Sequence, residues 1–237
     1  MLAKEALSLT ENRILAALSR QEYAYLFSRL QPVYLSRGKV LYDFADPFSY
    51  AYFLTNGMVS LLSITEDGST TQVSMVGNEG IVGVASVLKV NKAPYRIIVQ
   101  IPGQALRVRT DVLCSEFNRS GQLQDLMLRY LHALLTQISQ SAACNRFHTI
   151  EERLCRWLLI SHDRVKANML QLTQETLSHM VGASRTNVTI AANNLKKSGL
   201  ITYSRGNIEI LDRVGLESAS CECYRIITEE IGYLCAA

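Results

Sequence analysis

Apolar positions recur in different rhythms along the chain. The opening "MLAKEALSLTENRILAAL" alternates charges with leucines and reads as helix, with no signal-peptide core. Beyond it, Val, Tyr, Phe and Leu come in short runs. Turn signals interrupt them at Arg37-Gly38, Ala45-Asp46-Pro47, Asn56-Gly57 and Asp67-Gly68. Short strands at this spacing predict an antiparallel sandwich or roll. Asp67-Gly68 separates "VSLLSIT" from "STTQVSMV" and predicts a hairpin, because both residues tolerate positive φ. The strand pattern continues through "YRIIVQI" and "QALRV" and stops near Arg109.

From Asp111 the period becomes helical. "DVLCSEF" reads as a short helix ended by "NRSG", and Gln122 to Arg146 then runs without Gly or Pro. As one helix this segment would span roughly 40 Å. It carries two apolar stripes. Leu123, Met127, Tyr130, Leu134, Gln137, Ser141 and Cys144 step by four and three, as a heptad seam does. Leu128, Leu131, Leu135, Ile138 and Ala142 form a second stripe with similar steps. Two stripes predict contact on two sides, with the roll on one and a partner helix on the other. The first stripe is assigned here to a dimer seam. Thr149 with Glu152 makes a capping box, which predicts a break and a hinge at His148–Thr149. The next helix has Ile150, Leu154, Trp157 and Leu158 on its apolar face.

"LTQETLSHMVGASRTNVTIAANNLKKSGLI" holds two short amphipathic runs that pivot on Gly182. Thr173 is the expected N-cap of the first, with Leu177 and Met180 turned inward. Ser184 is the expected N-cap of the second, with Val188, Ala191, Ala192 and Leu195 buried. Arg185, Thr186, Asn187 and Thr189 then stand at or near an exposed helix start. This is the layout of a helix-turn-helix, whose second helix offers its first turn to the major groove. "SGLITYSRGNIEILD" adds two strands, Ile201–Tyr203 and Ile208–Leu211, around the tip 204–207, and so predicts a winged helix.

Composition narrows the function. With 48% hydrophobic and 19% charged residues the chain reads as a soluble globular protein, and no apolar run is long enough for a membrane helix. Net charge is only +3, but it is unevenly spread. Residues 149–213 carry 9 Lys/Arg against 6 Asp/Glu, and the tail from 214 carries 1 against 4. A mildly basic block over the helix-turn-helix permits nucleic-acid binding. The six cysteines, at 114, 144, 155, 221, 223 and 235, match no paired Cys-x-x-Cys zinc pattern and read as reduced thiols of a cytoplasmic protein. Cys144 and Cys155 flank the expected hinge, which leaves a thiol switch open beside plain helix packing. No phosphate-binding loop, dinucleotide fingerprint, nucleophile elbow or His-Glu-x-x-His is present. No catalytic group, metal or cofactor is therefore expected.

Together these segments resemble the Crp/Fnr superfamily of bacterial transcription regulators over nearly the whole chain. "LSRGKVLYDFADPFSYAYFLTNGMVSLL" resembles the family's β-roll, Gln122–Arg146 its dimerisation helix, and "LTQETLSHMVGASRTNVT" its DNA-binding motif. The resemblance implies an α+β protein with an N-terminal antiparallel β-roll (1–111), a dimerisation-helix region (112–147), a winged helix-turn-helix (148–216) and an acidic helical tail (217–237). It also implies a homodimer on double-stranded DNA with an inverted repeat, with RNA polymerase as a further partner. Arg185 would face a guanine edge, and Thr186, Asn187 and Thr189 would supply further base contacts. Thr173, Ser184, Lys196, Lys197 and Arg205 would meet phosphates. Cyclic-AMP-responsive members commonly carry Glu where this chain has Thr186, so their operator does not transfer.

Members that bind cyclic nucleotides hold the ribose with a Glu after a cassette glycine and the phosphate with an Arg-Ser pair. Aligning Gly83 with that glycine puts Val84 at the Glu position and Tyr95-Arg96 in place of Arg-Ser. The arginine is displaced by one residue, which in a strand reverses its face. Either Arg96 points away from the pocket or the strand has slipped. Glu79 is nearby but out of place for the ribose. Cyclic-nucleotide binding is not expected, and Gly83, Val84, Tyr95 and Arg96 mark the position of any effector pocket. The family's N-terminal iron–sulfur ligands are missing, since the first cysteine is Cys114. No histidine falls within the roll to hold haem. The alternative is a cyclic-nucleotide or other small-ligand sensor whose winged helix mediates protein contacts.

Overall fold

A computed structural model describes residues 11–165 and 169–234. The whole of the opening "MLAKEALSLT" and Cys235 lie outside the described residues. Two short helices come first, α1 (Arg13–Ala16) and α2 (Arg20–Phe27). Asn12 caps α1 and is fully buried. Its amide nitrogen donates to the Leu54 and Gly80 carbonyls, each at 2.9 Å, while its oxygen accepts from the Leu15 amide. A buried amide so satisfied carries little desolvation penalty.

Eight strands follow: β1 (Gln31–Leu35), β2 (Val40–Tyr42), β3 (Tyr50–Leu54), β4 (Met58–Ile64), β5 (Thr70–Val76), β6 (Ile81–Val82), β7 (Arg96–Ile101) and β8 (Gly103–Arg109). They form two four-stranded sheets, ordered β1-β8-β3-β6 and β2-β7-β4-β5, the expected antiparallel roll. Alternation shows best in β7, where Ile97, Val99 and Ile101 are buried and the residues between them are half-exposed. With Phe53, Leu54, Met58 and Val108 they make the core, each contributing roughly 1.5–3 kcal/mol of burial. Asp67-Gly68 closes the β4–β5 hairpin, and the Asp67 carboxylate accepts from the Ser69 amide at 3.0 Å. Gly57, at φ +81°, is required twice over, because a Cβ there would stand 2.8 Å from the Ile101 carbonyl oxygen.

Two helices lead out of the strands, α3 (Thr110–Phe117) and α4 (Gln122–Phe147). The stripe assigned to a dimer seam is corrected by the burial along α4. Leu123, Met127, Tyr130, Leu134, Gln137 and Ser141 are all covered within their own chain. Tyr130 lies so close over Gly80 that a Cβ there would sit 2.4 Å from its ring. Gln137 bonds Ser74 through its amide nitrogen and takes a hydrogen bond from Arg164 at 2.6 Å. Side chains so occupied have no surface left for a partner. The second stripe is the open one: Leu128 is 47% exposed, Leu135 63%, Ala142 exposed, and Leu131 and Ile138 half-buried.

The break after α4 forms as expected. The Thr149 amide donates to the Glu152 carboxylate at 2.7 Å and the Glu152 amide to the Thr149 hydroxyl at 3.3 Å. α5 (Ile150–Val165) follows, then β9 (Met169–Gln171), α6 (Gln174–Val181), α7 (Arg185–Lys197), β10 (Ile201–Ser204), β11 (Asn207–Ile210), α8 (Arg213–Ser218) and α9 (Cys223–Tyr233). The last three-stranded sheet has the order β10-β11-β9, so the expected two-stranded wing gains a third strand. Two compact units divide the chain out of sequence order. One gathers 11–61, 75–135 and 231–234, the other 62–74, 136–165 and 169–230. No described helix is long and apolar enough to cross a membrane.

Candidate nucleic-acid interface

The local chemistry of α6 and α7 sets which of their side chains are exposed. The Thr173 hydroxyl accepts from the Thr176 amide at 3.2 Å and starts α6. Gly182 ends it at φ +64°, donating its amide to the Ser178 carbonyl at 2.9 Å. A residue with a Cβ is strained in that conformation. Ser184 then caps α7 by accepting from the Asn187 amide at 3.3 Å. Val188, Ala191, Ala192 and Leu195 of α7 are buried, as are Leu177, Met180 and Val181 of α6. Asn194 donates to the Glu151 carboxylate and so pins the C-terminal half of α7 to α5. With its inner face committed, α7 turns its N-terminal end outward.

Arg185, Thr186 and Asn187 are exposed at that end. The Arg185 guanidinium is held by Glu175 of α6 through Nη2 at 2.8 Å, a partner that the sequence reading did not foresee. Both side chains are about 60% exposed, so the pair is weak and easily exchanged. Thr189 is half-buried and donates its hydroxyl to the Arg185 carbonyl at 2.8 Å, one turn back on its own helix. Ile190 was missed as well. It is 55% exposed, one turn beyond Thr186, with exposed Asn193 beyond it. An isoleucine left open on a polar face was the available signal.

Lys196 and Lys197 are exposed at the far end of α7, about 17 Å from Arg185 along the axis. The wing tip is tighter than expected. Ser204 pairs with Asn207, leaving a two-residue loop of Arg205 (φ +49°) and Gly206 (φ +80°). Positive φ at both positions is the signature of a type I′ hairpin turn. Arg205 is exposed there in a conformation that costs a non-glycine residue roughly 1–2 kcal/mol.

The segment around Gly83 lies in the first unit. Gly83 takes φ +85° and starts a short 3-10 turn over Val84–Leu88. Gly83, Val84 and Tyr95 border a cavity closed by Phe48, Ile97 and Leu134. The room left among them is about 10 Å³, about enough for one water and not for a nucleotide. Arg96 takes no part. Its Nε and Nη2 bond the two Asp43 oxygens at 3.0 and 2.7 Å, and that bidentate bond holds the Asp43 carboxyl below the usual carboxylate range. Of the two alternatives for the displaced arginine, it points away. Glu79 is buried with its carboxylate on the Gly77 amide at 3.1 Å, which occupies it in shaping the turn before β6.

Comparison with known proteins gives the same two parts. Residues 152–219 match the Crp-like helix-turn-helix domain and residues 32–120 the cyclic nucleotide-binding domain. The chain belongs to the Crp/Fnr superfamily. Among this regulator's relatives is the global nitrogen regulator of Synechocystis sp., 24% identical over 88% of this chain and 96% of that protein. Another is the CRP-like cAMP-activated global transcriptional regulator of Mycobacterium tuberculosis, 23% identical over 80% and 88%. FixK2 from Bradyrhizobium japonicum has the same fold, with a TM-score of 0.70 at 16% identity over 81% of this chain and 98% of that one. The protein is thus a Crp/Fnr-type transcription regulator with a helix-turn-helix and a cyclic-nucleotide-binding-like roll.

Proposed function

We propose that this Crp/Fnr regulator acts in the cytoplasm as a homodimer that binds an inverted-repeat operator without a cyclic nucleotide. The observation that carries the reading is the outward end of α7. There Arg185, Thr186 and Asn187 stand exposed on a helix whose inner face is fully committed. Arg185 gives up one oxygen of Glu175 for the O6/N7 edge of guanine, the commonest specific contact in the major groove. Ile190, on the same side as Thr186, suits a thymine methyl. Thr173, Ser184, Lys196, Lys197 and the wing's Arg205 serve phosphates. Leu128, Leu131, Leu135, Ile138 and Ala142 form the dimer seam, since their steps of three and four fit a partner helix and α4 leaves them open. Two-fold symmetry then sets the half-sites about 34–36 Å apart. RNA polymerase is the partner through which bound protein affects transcription.

Independence from cyclic nucleotides rests on the small cavity, on Val84 at the position of the ribose carboxylate, and on the engagement of Arg96 with Asp43. Selection from random duplex DNA tests the first half of the proposal. Enrichment of an inverted repeat with half-sites one helical turn apart is expected, and a pool without shared sequence would contradict it. Calorimetry with cyclic AMP and cyclic GMP tests the second half. No heat of binding is expected, whereas saturable micromolar binding would overturn the claim of independence.

A further inference from the structure

Four side chains of metal-ligating types converge in the second unit, where linear cysteine spacing pointed to no site. Cys144 and His148 are one helical turn apart at the end of α4, with the His148 amide bonded to the Cys144 carbonyl at 3.1 Å. Cys221 and Cys223 flank Glu222 at the start of α9. The three sulfurs and one ring nitrogen all lie within 4.8 Å of one another. Cys144 Sγ is 3.5 Å from Cys221 Sγ, and Cys223 Sγ is 3.7 Å from His148 Nδ1. All three cysteines are buried.

We propose that Cys144, His148, Cys221 and Cys223 bind one divalent ion of the zinc class as a closed Cys₃His site. Size is the first argument. A tetrahedral ion with bonds of about 2.3 Å to sulfur and about 2.0–2.1 Å to nitrogen sets neighbouring sulfurs about 3.8 Å apart and sulfur from nitrogen about 3.6 Å apart. The separations here match that scale, whereas a cluster with several irons and its own sulfides needs a wider cage. Three thiolates and an imidazole also select zinc over the ions that prefer oxygen.

The surroundings supply two further arguments. His148 Nε2 lies 3.2 Å from the Glu222 carboxylate, which leaves Nδ1 to face the thiols. A metal-bound histidine is typically oriented by such a carboxylate on its other nitrogen. Arg156 is wholly buried, and its Nε and Nη2 have no hydrogen-bond partner among the described residues. Burial disfavours its charge, and ionised sulfur at Cys144, Cys221 and Cys223 would favour it. A divalent ion with three thiolates and a neutral imidazole carries one net negative charge, which the guanidinium offsets. Beside three neutral thiols the same buried cation would have only the Ser141 hydroxyl, at 3.4 Å, and the Trp157 ring, 4.3 Å from its centre, a costly arrangement.

Loading breaks three S–H bonds, releases three protons to solvent, and forms three metal–sulfur bonds and one metal–nitrogen bond without electron transfer. Four protein ligands leave no open position, so the ion is structural. It would tie the end of α4 to the start of α9 and close a loop between positions 77 apart, Cys144 and Cys221.

The test uses full-length protein purified anaerobically under reductant, with metal content measured by mass spectrometry and Co²⁺ then exchanged in. About one zinc per chain is expected, together with a cobalt spectrum combining sulfur-to-metal charge transfer and intense tetrahedral d–d bands. Cys223→Ser should lose one thiolate's share of the charge-transfer intensity, and His148→Asn should shift the d–d envelope. Glu222→Gln should keep both features and weaken cobalt affinity about tenfold. The wild-type measurements stand even where a variant fails to fold by circular dichroism. Folded, reduced wild-type protein with no metal and no cobalt spectrum would overturn the proposal. So would iron with acid-labile sulfide, or a Cys144–Cys221 disulfide that persists in place of metal.

Discussion

Arg185 and Arg205 are two exposed arginines for which different roles are proposed. Arg185 stands at the first position of α7, where its fork can discriminate among bases. Arg185→Ala is expected to cost roughly 1–3 kcal/mol on the operator and little on random DNA, as read from paired binding titrations. An equal loss on both would assign it to the backbone instead. Arg205 sits at φ +49° in a turn that favours asparagine before glycine. Arg205→Asn should therefore raise the thermal midpoint while lowering the salt slope of DNA binding by about 1. A lower midpoint with unchanged binding would remove the phosphate role. Thr173, Gly182 and Ser184 were legible as caps and turn because their reasons are local, a hydroxyl for an unpaired amide and a backbone without Cβ. The Glu175 partner of Arg185 was not legible, since an exposed ion pair between two helices leaves no periodic trace. Cys144 and Cys221 are separated by 77 residues, and only the fold brings them together.

The capping box shows how firmly one element can be specified. The Thr149 backbone amide and hydroxyl hold the Glu152 carboxyl below its ordinary value. Its contribution to stability is present above the unfolded-state value and is lost as pH falls through the lowered folded value. Thr149→Ala should cost about 1 kcal/mol at neutral pH, measured by denaturant unfolding, and less once Glu152 is protonated. A cost that does not change with pH would mean that Thr149 caps the helix without help from the Glu152 carboxylate. On α4 the sequence was informative in kind and misleading in choice. Two stripes with near-identical heptad steps were plain to see. Which one meets the roll depended on Gly80 receiving Tyr130 and on Gln137 reaching Ser74, contacts made by distant strands. The corrected assignment has a direct check. Leu135→Glu should give a folded monomer in sedimentation, whereas Leu134→Glu, in the buried stripe, should lower the thermal midpoint sharply. A Leu135→Glu protein that stays dimeric would return the seam to another surface.

At the scale of the molecule, roll, long helix and winged helix were all readable from the change of period from two to 3.6 and back. The compact units were not, because the β4–β5 hairpin tip, 62–74, groups with residues far along the chain. The roll matches a cyclic-nucleotide-binding domain, while the cavity lined by Phe48, Tyr95, Ile97 and Leu134 has room for about one water. In this account the roll serves as scaffold for α4, and DNA reading needs no nucleotide to organise it. The most direct measurement is the affinity of nucleotide-free protein for its selected operator and for random duplex, across a range of salt. The account predicts operator binding at least about 10³-fold tighter than random, with both affinities falling steeply as salt rises. Equal affinity for the two DNAs, or binding that appears only after cyclic nucleotide is added, would contradict it.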